Sequence, residues 1–118
     1  MAMDANLISE KRREILMNKQ LGDIDIKELI NRRRRQILVH SVIYYKMNQN
    51  LITDAQWTEW AVELENLQYI YPEIAEECDY ANAFKGFDHS TGFSLPLDDS
   101  WAVMKARKLL QIHELYYT

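Results

Sequence analysis

The chain has 118 residues, of which 47% are hydrophobic and 27% are charged, a composition that is typical of a folded globular domain and excludes a disordered one. The single cysteine, Cys78, excludes an internal disulfide and a cysteine-based zinc site, and a net charge of −4 gives no general attraction to nucleic acid. No hydrophobic run approaches the length of a membrane span and no signal-peptide pattern opens the sequence, so we expect a cytoplasmic protein that does not bind membranes.

Turn-forming residues are scarce, since three Gly and two Pro favour helices over a sheet-rich fold. Hydrophobic residues recur every three to four positions through most of the sequence, which predicts amphipathic helices. The predicted helices span about residues 6–20, 24–48, 54–71, 73–79 and 98–111, with a long loop over residues 80–97. We therefore predict an all-α fold, a single domain over residues 1–118 built on an antiparallel helical hairpin.

Polar residues indicate where these helices begin. Asp23 or Asp25 is expected to cap the second helix, and Asp98 or Asp99 the fifth. Hydrophobic spacing also predicts which residues face the core. In the second helix these are Ile26, Ile30, Ile37, Ser41 and Tyr44, and in the third they are Trp57, Trp60, Ala61, Leu64, Leu67 and Tyr71. In the fifth helix they are Trp101, Ala102, Val103, Met104, Ala106, Leu109 and Leu110.

The boundaries of the third helix carry the clearest signals. Thr53-x-x-Gln56 has the pattern of a capping box, in which the hydroxyl and the amide satisfy free backbone N–H groups. Pro72 is expected to end the third helix and to start the short fourth one.

Four consecutive arginines, Arg32 to Arg35, form a local concentration of positive charge. Successive helix residues are turned by about 100°, so the four side chains fan around the helix and either Arg33 or Arg34 must face the structure beneath it. One interpretation is a phosphate or nucleic-acid contact. The favoured one is a solvated surface with one guanidinium paired to carboxylates of a neighbouring helix, because no polar base-reading residues are interleaved.

Polar and aromatic residues flank the predicted turn between the second and third helices. His40 and Tyr44 are four residues apart and Asp54 and Trp57 are three apart, so each pair shares one helix face. Where the two helices meet, these side chains could hold a small ring-bearing ligand. In the alternative interpretation, Trp57 belongs to the core, Asp54 stabilises the helix dipole by roughly 0.3–1 kcal/mol, and His40 is packed and hydrogen-bonded to a neighbour.

The order of these pieces resembles the N-terminal Ia domain of bacterial NAD-dependent DNA ligases. Residues 38–74 contain His-x-x-x-Tyr-Tyr, Ile-x-Asp-Ala-Gln-Trp, Glu-Leu-x-x-Leu and Tyr-Pro-Glu, where that family typically has His-x-x-x-Tyr-Tyr, Ile-Ser-Asp-Ala-Glu-Tyr-Asp, Glu-Leu and Pro-Glu-Leu. The match covers roughly a third of the chain. The rest, with Phe-x-Gly-Phe-Asp and Ser-Thr-Gly-Phe, looks similar to small phage and prophage proteins described as ligase-related.

The resemblance implies a site for the nicotinamide mononucleotide (NMN) half of NAD, over which the ligase module closes. It implies that Tyr44 and Tyr45 flank the ring and phosphate, that Asp54 bonds polar groups of the nucleotide, and that Trp57 stacks in place of the family's tyrosine. Thr58 stands where the family has an aspartate, which removes an acceptor of the kind that recognises the carboxamide. The candidate nucleotide-binding residues are His40, Tyr44, Tyr45, Asp54, Trp57 and Thr58.

The covalent chemistry of a ligase is missing from the sequence. The family's nucleophile is a lysine in a Lys-x-Asp-Gly context, whereas residues 85–88 read Lys-Gly-Phe-Asp, with another order and spacing. The sequence has no glycine-rich phosphate loop and no metal-spaced set of His and Cys. His89 beside Asp88 and Ser90 leaves a hydrolytic dyad open, although a polar turn is favoured. We expect a protein that is not an enzyme and holds no metal.

The predicted loop over residues 80–97 is rich in aromatic residues, which either bind a partner from an exposed loop or pack as a cover on the hairpin, with Phe84, Phe87 and Phe93 as anchors and Gly92 adopting a positive φ. The candidate partner-binding residues are Phe84, Phe87, Phe93, Arg32 and Arg35. We expect a non-catalytic, phage-type accessory protein that binds a protein partner in DNA replication, repair or defence. The alternatives are a freestanding module that binds NMN or NAD and, as the weaker one, DNA binding through Arg32–Arg35.

Overall fold

The computed structural model describes residues 22–90 and 92–117, and within these ranges it contains four helices and no strand. The helices are α1 (Asp23–Lys46), α2 (Asp54–Ile70), α3 (Pro72–Glu77) and α4 (Ser100–Tyr117). The prediction of an all-α fold is confirmed, while the helix predicted over residues 6–20 lies outside the described residues. None of the four helices is long and hydrophobic enough to cross a membrane.

The start of α1 differs from the prediction by one position. Gly22 is the N-cap residue, and neither Asp23 nor Asp25 occupies that position. Asp25 instead supports the start from inside the first turn, because its carboxylate accepts a hydrogen bond from the Gly22 N–H at 3.3 Å. Both aspartates lie in the first turn, where a negative charge is favoured by the helix dipole.

The boundaries of α2 and α3 follow the sequence signals. Thr53 is the N-cap of α2, and its hydroxyl accepts a hydrogen bond from the backbone N–H of Gln56 at 3.0 Å. Pro72 is the first residue of α3, a position in which its missing N–H costs no hydrogen bond. The Thr53 cap and the position of Pro72 are confirmed, whereas the reciprocal hydrogen bond of the Gln56 side chain expected in a capping box is not formed among the described residues.

Asp99 caps α4, since its Oδ2 accepts hydrogen bonds from the Ala102 N–H at 3.0 Å and from the Tyr80 hydroxyl at 2.9 Å. Burial and the hydrogen bond from the Tyr80 hydroxyl to Asp99 raise the pKa of Tyr80 to about 12. The helix continues past the predicted end at residue 111 to Tyr117. The prediction was too short because it followed the core-facing residues only, whereas no Gly or Pro interrupts residues 112–117.

The helix α1 is central, because it packs against α2, α3 and α4. Residues late in α1 contact residues early in α2, and residues earlier in α1 contact residues later in α2. Ser41 meets Trp57 near the turn, whereas Arg34 meets Gln68 far from it. The hairpin formed by α1, the turn over residues 47–53 and α2 is therefore antiparallel, as predicted.

Of the residues predicted to face the core, ten are buried, six are partly buried and two are exposed. The buried positions include Ile26, Ile30, Ile37, Ser41, Trp57, Ala61, Leu64, Leu67, Ala102 and Ala106. Tyr44 is 48% exposed and Met104 46% exposed, so both predictions were wrong. Met104 is turned by about 200° from Ala102 and so lies opposite the alanine stripe, while Tyr44 lies at the turn end of the hairpin.

The segment over residues 78–99 packs on the hairpin. Phe84 is fully buried, Leu95 and Leu97 are buried, and Phe87 is half-buried. Gly86, with φ of 70°, takes the left-handed conformation that was predicted for Gly92, whose φ is not positive. The interpretation of this segment as a cover is therefore supported for Phe84 and Phe87. For Phe93 the expected anchoring was wrong, because its ring lies at the surface beside Tyr45 and is 69% exposed.

Candidate functional site

A cavity of ≈ 140 Å³ lies at the turn end of the hairpin and is here called the turn cavity. Its wall is formed by the last two turns of α1, by residues 50–53, by the first turn of α2 and by Ser90. Five of the six candidate nucleotide-binding residues line it, namely His40, Tyr44, Tyr45, Asp54 and Trp57. The antiparallel hairpin thus brings together side chains that are up to 17 positions apart in the sequence.

Thr58 is the exception. It is buried and does not line the turn cavity, because one step along a helix turns it by about 100° from Trp57. The position at which the resembling family has an aspartate therefore faces the interior here.

Trp57 is both a core residue and part of the cavity wall. Its indole N–H donates to Ser41 Oγ at 3.2 Å, and the Ser41 hydroxyl donates in turn to the Ile37 carbonyl at 2.6 Å. This chain of hydrogen bonds uses the polar atom of the indole inside the hairpin. Trp57 therefore offers a ligand its ring surface rather than its N–H group.

His40 is packed, but its Nδ1 is not paired. This atom is sealed from the surface and has no hydrogen-bond partner in residues 22–90 and 92–117, contrary to the expectation of a bonded neighbour. The ring lies with its centroid 5.7 Å from that of Trp60. Burial lowers the pKa of His40 and thus favours the neutral imidazole.

The mouth of the turn cavity is edged by tyrosine rings and a carboxylate. Tyr44 is edge-on to Tyr45, with centroids 4.8 Å apart, and Tyr45 is edge-on to Phe93 at 5.4 Å. Asp54 is exposed in the first turn of α2. This arrangement can accept a flat ring between aromatic side chains and can hydrogen-bond polar groups that stay outside.

The loop that carries Ser90 is tied to α2. The backbone N–H of Ser90 donates to Asp88 Oδ1 at 2.7 Å, and its hydroxyl donates to the same oxygen. These two hydrogen bonds lower the pKa of Asp88. His89 makes no hydrogen bond to Ser90. Its Nδ1 lies 2.7 Å from Glu65 Oε2 instead, which joins this loop to α2. The structure thus contains the polar turn rather than the hydrolytic dyad.

Gly92 brings the backbone of this loop against the hairpin. A Cβ atom built on Gly92 would overlap Ser41 Oγ and would lie 3.1 Å from Trp57 Cζ2. A residue with a side chain cannot fit unless Ser41 or Trp57 moves, and both of these residues line the turn cavity. The small side chains at positions 41 and 92 therefore allow the loop to close on the site.

Six further residues line the turn cavity but were not candidate binding residues, namely Ser41, Asn50, Leu51, Ile52, Thr53 and Ser90, and Gly92 packs against Ser41 and Trp57. Ser41 had a weak signal, as a small polar residue within a predicted core stripe that otherwise consists of large side chains. Ser90 and Gly92 had none, because only the path of the loop places them at the hairpin.

The candidate partner-binding aromatics differ in exposure. Phe84 is fully buried beneath the guanidinium of Arg34, whose Cζ lies 5.8 Å from the centroid of the Phe84 ring. It therefore does not reach the surface on which a partner would dock. Phe87 is half-buried with its centroid 6.4 Å from that of Trp57, while Phe93 is 69% exposed.

The four arginines have separate environments. Arg32 is exposed, Arg33 pairs with Glu63 at 3.1 Å, and Arg35 pairs with Asp79 and lies over Trp101. Arg34 is only 2% exposed, which confirms that either Arg33 or Arg34 faces inward. The pairing of Arg33 with Glu63 of α2 agrees with the interpretation as a helix surface.

Within residues 22–90 and 92–117, no group of three or more His, Cys, Asp and Glu side chains could hold a metal ion. Cys78 is buried, its thiol lies 3.2 Å from the Ile74 carbonyl, and burial raises its pKa. Burial and the contact with the carbonyl therefore favour the protonated thiol. Comparison with protein-family models, curated proteins and solved structures finds no match to this chain.

Proposed function

We propose that this protein binds a small molecule with one flat ring and attached polar groups, of the nicotinamide-nucleotide class, in the turn cavity. The convergence of His40, Tyr44, Tyr45, Asp54 and Trp57 on one cavity carries the proposal. The cavity volume of ≈ 140 Å³ suits a single ring, since a cavity of about 150 Å³ in another protein holds one benzene molecule.

The chemistry of the wall supports a ring with a polar tail. The aromatic surfaces of Tyr44, Tyr45 and Trp57 suit stacking, while Asp54 at the mouth can accept hydrogen bonds from sugar hydroxyls. The volume leaves no space for a second base, so the adenosine half of NAD would remain outside. NMN is therefore expected to contribute most of the binding energy of NAD.

Isothermal titration calorimetry with NMN, NAD, AMP and nicotinamide tests the proposal. We expect saturable heat with NMN and NAD and none with AMP. Tyr44→Ala is expected to weaken NMN binding by about tenfold, which corresponds to about 1.4 kcal/mol. Tyr116→Ala is the matched control, because Tyr116 is exposed on α4 and does not line the cavity. Absence of heat at millimolar NMN and NAD would refute the proposal.

A protein partner is the second candidate, and the exposure of Phe93 favours it. Phe93 is 69% exposed and Tyr44 48% exposed, and both contact or adjoin Tyr45 at the mouth of the turn cavity. The candidate docking surface is therefore the mouth of the turn cavity rather than the whole loop over residues 80–97. A pull-down compares the unchanged protein with Phe93→Ala and Tyr116→Ala. A partner that Phe93→Ala alone loses supports this function, and equal capture by all three proteins counts against it.

The environments of the four arginines do not favour DNA binding. Arg33 and Arg35 are held in ion pairs and Arg34 is buried. Of the four arginines, only Arg32 is exposed without an ion pair to a described residue.

A further inference from the structure

We propose that a second cavity, formed by α1, α2, α3 and residues 81–86, binds a small organic acid through the guanidinium of Arg34. This cavity is here called the Arg34 cavity. It has a volume of ≈ 440 Å³ and is lined by Arg34, Gln68, Glu76, Asn82, Phe84 and Lys85, among others. It is separate from the turn cavity, with which it shares no residue.

The first argument is that Arg34 has a buried charge without a carboxylate of its own. Arg33 pairs with Glu63 at 3.1 Å and Arg35 pairs with Asp79. Arg34, at 2% exposure the least exposed of the three, makes no ion pair with any residue in the described part of the chain. Buried charges in proteins are normally paired, so the missing counter-ion is the unusual feature of this region.

The second argument concerns the hydrogen-bond donors of the guanidinium. Nε donates to Gln68 Oε1 and Nη1 donates to the Asp79 carbonyl, both at 2.9 Å. Nη2 donates to no acceptor in residues 22–90 and 92–117, and it is not sealed from the surface. Nη2 therefore provides donors that can reach a ligand in the Arg34 cavity.

The amide of Gln68 is fixed in a way that keeps Arg34 in this position. Its nitrogen donates to the Phe84 carbonyl at 3.1 Å, which turns its oxygen toward Arg34. The guanidinium also lies over the Phe84 ring, with Cζ 5.8 Å from the centroid. The fork is thus held by α2 on one side and by the loop on the other before any ligand arrives.

The charges at the rim indicate a carboxylate rather than a phosphate. Lys85 and Glu76 are both exposed and line the cavity, and their charges offset each other. The remaining charge is the single positive charge of Arg34, which matches one carboxylate. A phosphate dianion would meet stronger repulsion from Glu76, whereas the planar edge of a guanidinium complements a planar carboxylate.

The desolvation of Arg34 points in the same direction. Burial lowers its pKa, which shows that the charged form is disfavoured by the surroundings, although an arginine stays protonated in proteins. A bound anion would offset part of this penalty. Binding is therefore expected to raise the melting temperature of the protein.

The test follows the Arg34 Nε–Hε resonance by NMR while sodium acetate replaces sodium chloride at constant ionic strength. We expect a saturable shift of this resonance at millimolar acetate, with the Arg32 resonance unchanged. Propionate, which also carries one carboxylate, is expected to bind in the same way, and inorganic phosphate more weakly. A shift that never saturates, or tighter binding of phosphate than of acetate, would overturn the proposal.

Variants separate the ligand contact from the structural role of Arg34. Lys85→Gln is expected to weaken acetate binding two- to threefold through the loss of one rim charge, about 0.4–0.7 kcal/mol. Arg32→Gln is the matched control, which lies on α1 outside the cavity, and is expected to change nothing. Lys85 is exposed and its replacement is expected to leave folding intact, so equal acetate affinities in both variants would also count against the site.

Discussion

The two ends of the α1–α2 hairpin are packed in opposite ways. Far from the turn, the contacts are polar and nearly complete: Arg33 pairs with Glu63, and Arg34 binds both Gln68 and the Asp79 carbonyl. At the turn end, the two helices separate around a cavity lined by aromatic rings. One end holds the helices together and the other leaves room between them.

The difference teaches how each end joins the two helices: buried polar contacts tie them together far from the turn, beside the Arg34 cavity, whereas aromatic rings line the gap at the turn end. Hydrogen bonds to a charged group each contribute about 1.5–3 kcal/mol when they are buried, so the polar end ties α1 to α2 and to the loop. At the turn end, the unpaired His40 Nδ1 and the unfilled volume both cost free energy. A protein commonly tolerates such costs at functional sites.

The largest effect is expected from a change at the polar end. Arg34→Met keeps much of the side-chain volume but leaves Gln68 Oε1 and the Asp79 carbonyl without their donor. We expect a loss of roughly 2–4 kcal/mol in the free energy of unfolding, measured by urea denaturation.

Arg32→Met is the control for this change, because Arg32 is exposed on the same helix. It is expected to stay within about 0.5 kcal/mol of the unchanged protein. Similar losses in both variants would contradict the view that the buried arginine ties the hairpin together.

A smaller effect is expected where the loop meets the turn end. Gly92→Ala forces Ser41 or Trp57 to move, and we expect a loss of about 1–3 kcal/mol in the free energy of unfolding. Because both neighbours line the turn cavity, NMN binding should weaken in the same variant. Denaturation and calorimetry on one sample measure both effects.

Gly86→Ala is the matched glycine control. Nothing lies within 4 Å of a Cβ at this position, and only its φ of 70° is unfavourable, which costs about 1–2 kcal/mol. It should leave NMN binding unchanged. If Gly86→Ala weakened NMN binding as much as Gly92→Ala does, the close approach of Gly92 would not be what shapes the cavity.

The smallest effect is a pH dependence that originates at the turn end. Burial lowers the pKa of His40 in the folded state below its ordinary value of 6.5. As the pH falls through 6.5, the unfolded chain binds the proton first, so the free energy of unfolding decreases until the folded-state pKa is passed. The contribution of His40 is complete above pH 6.5 and lost below it.

Urea denaturation at about pH 5 and about pH 8 checks this linkage. The unchanged protein should lose more stability between these values than His40→Gln, which cannot take up the proton. An identical pH dependence in His40→Gln would show that another group is responsible.

The sequence predicted the helices better than it predicted the surroundings of individual side chains. Thr53 and Pro72 set the ends of their helices through local hydrogen bonds and sterics, which act over three or four residues and can be found in a sequence. The pairs His40 with Tyr44 and Asp54 with Trp57 lie on shared faces for the same reason, and all four line the turn cavity. Tyr44 and Met104 were predicted to face the core because their positions fit the helical spacing. Spacing alone does not show whether another part of the chain covers a given position.

The contacts of the loop could not have been predicted from spacing. Whether Phe84 or Phe93 is exposed depends on the path of residues 78–99, which has no periodicity. The choice of Arg34 rather than Arg33 as the buried arginine depends on the rotation of α1 relative to α2. A rotation of about 100° would exchange the two, and only packing against Gln68 and Phe84 sets it.

The sequence by itself determined the all-α class, the boundaries around Thr53 and Pro72 and the order of the residues at the turn, because these depend on local propensity and on helical spacing. Only the tertiary structure decided that Gly92 closes the loop on Ser41 and Trp57 and that Arg34 is buried without a carboxylate partner among the described residues. Such contacts join positions far apart in the chain, and the packing of the whole domain selects them.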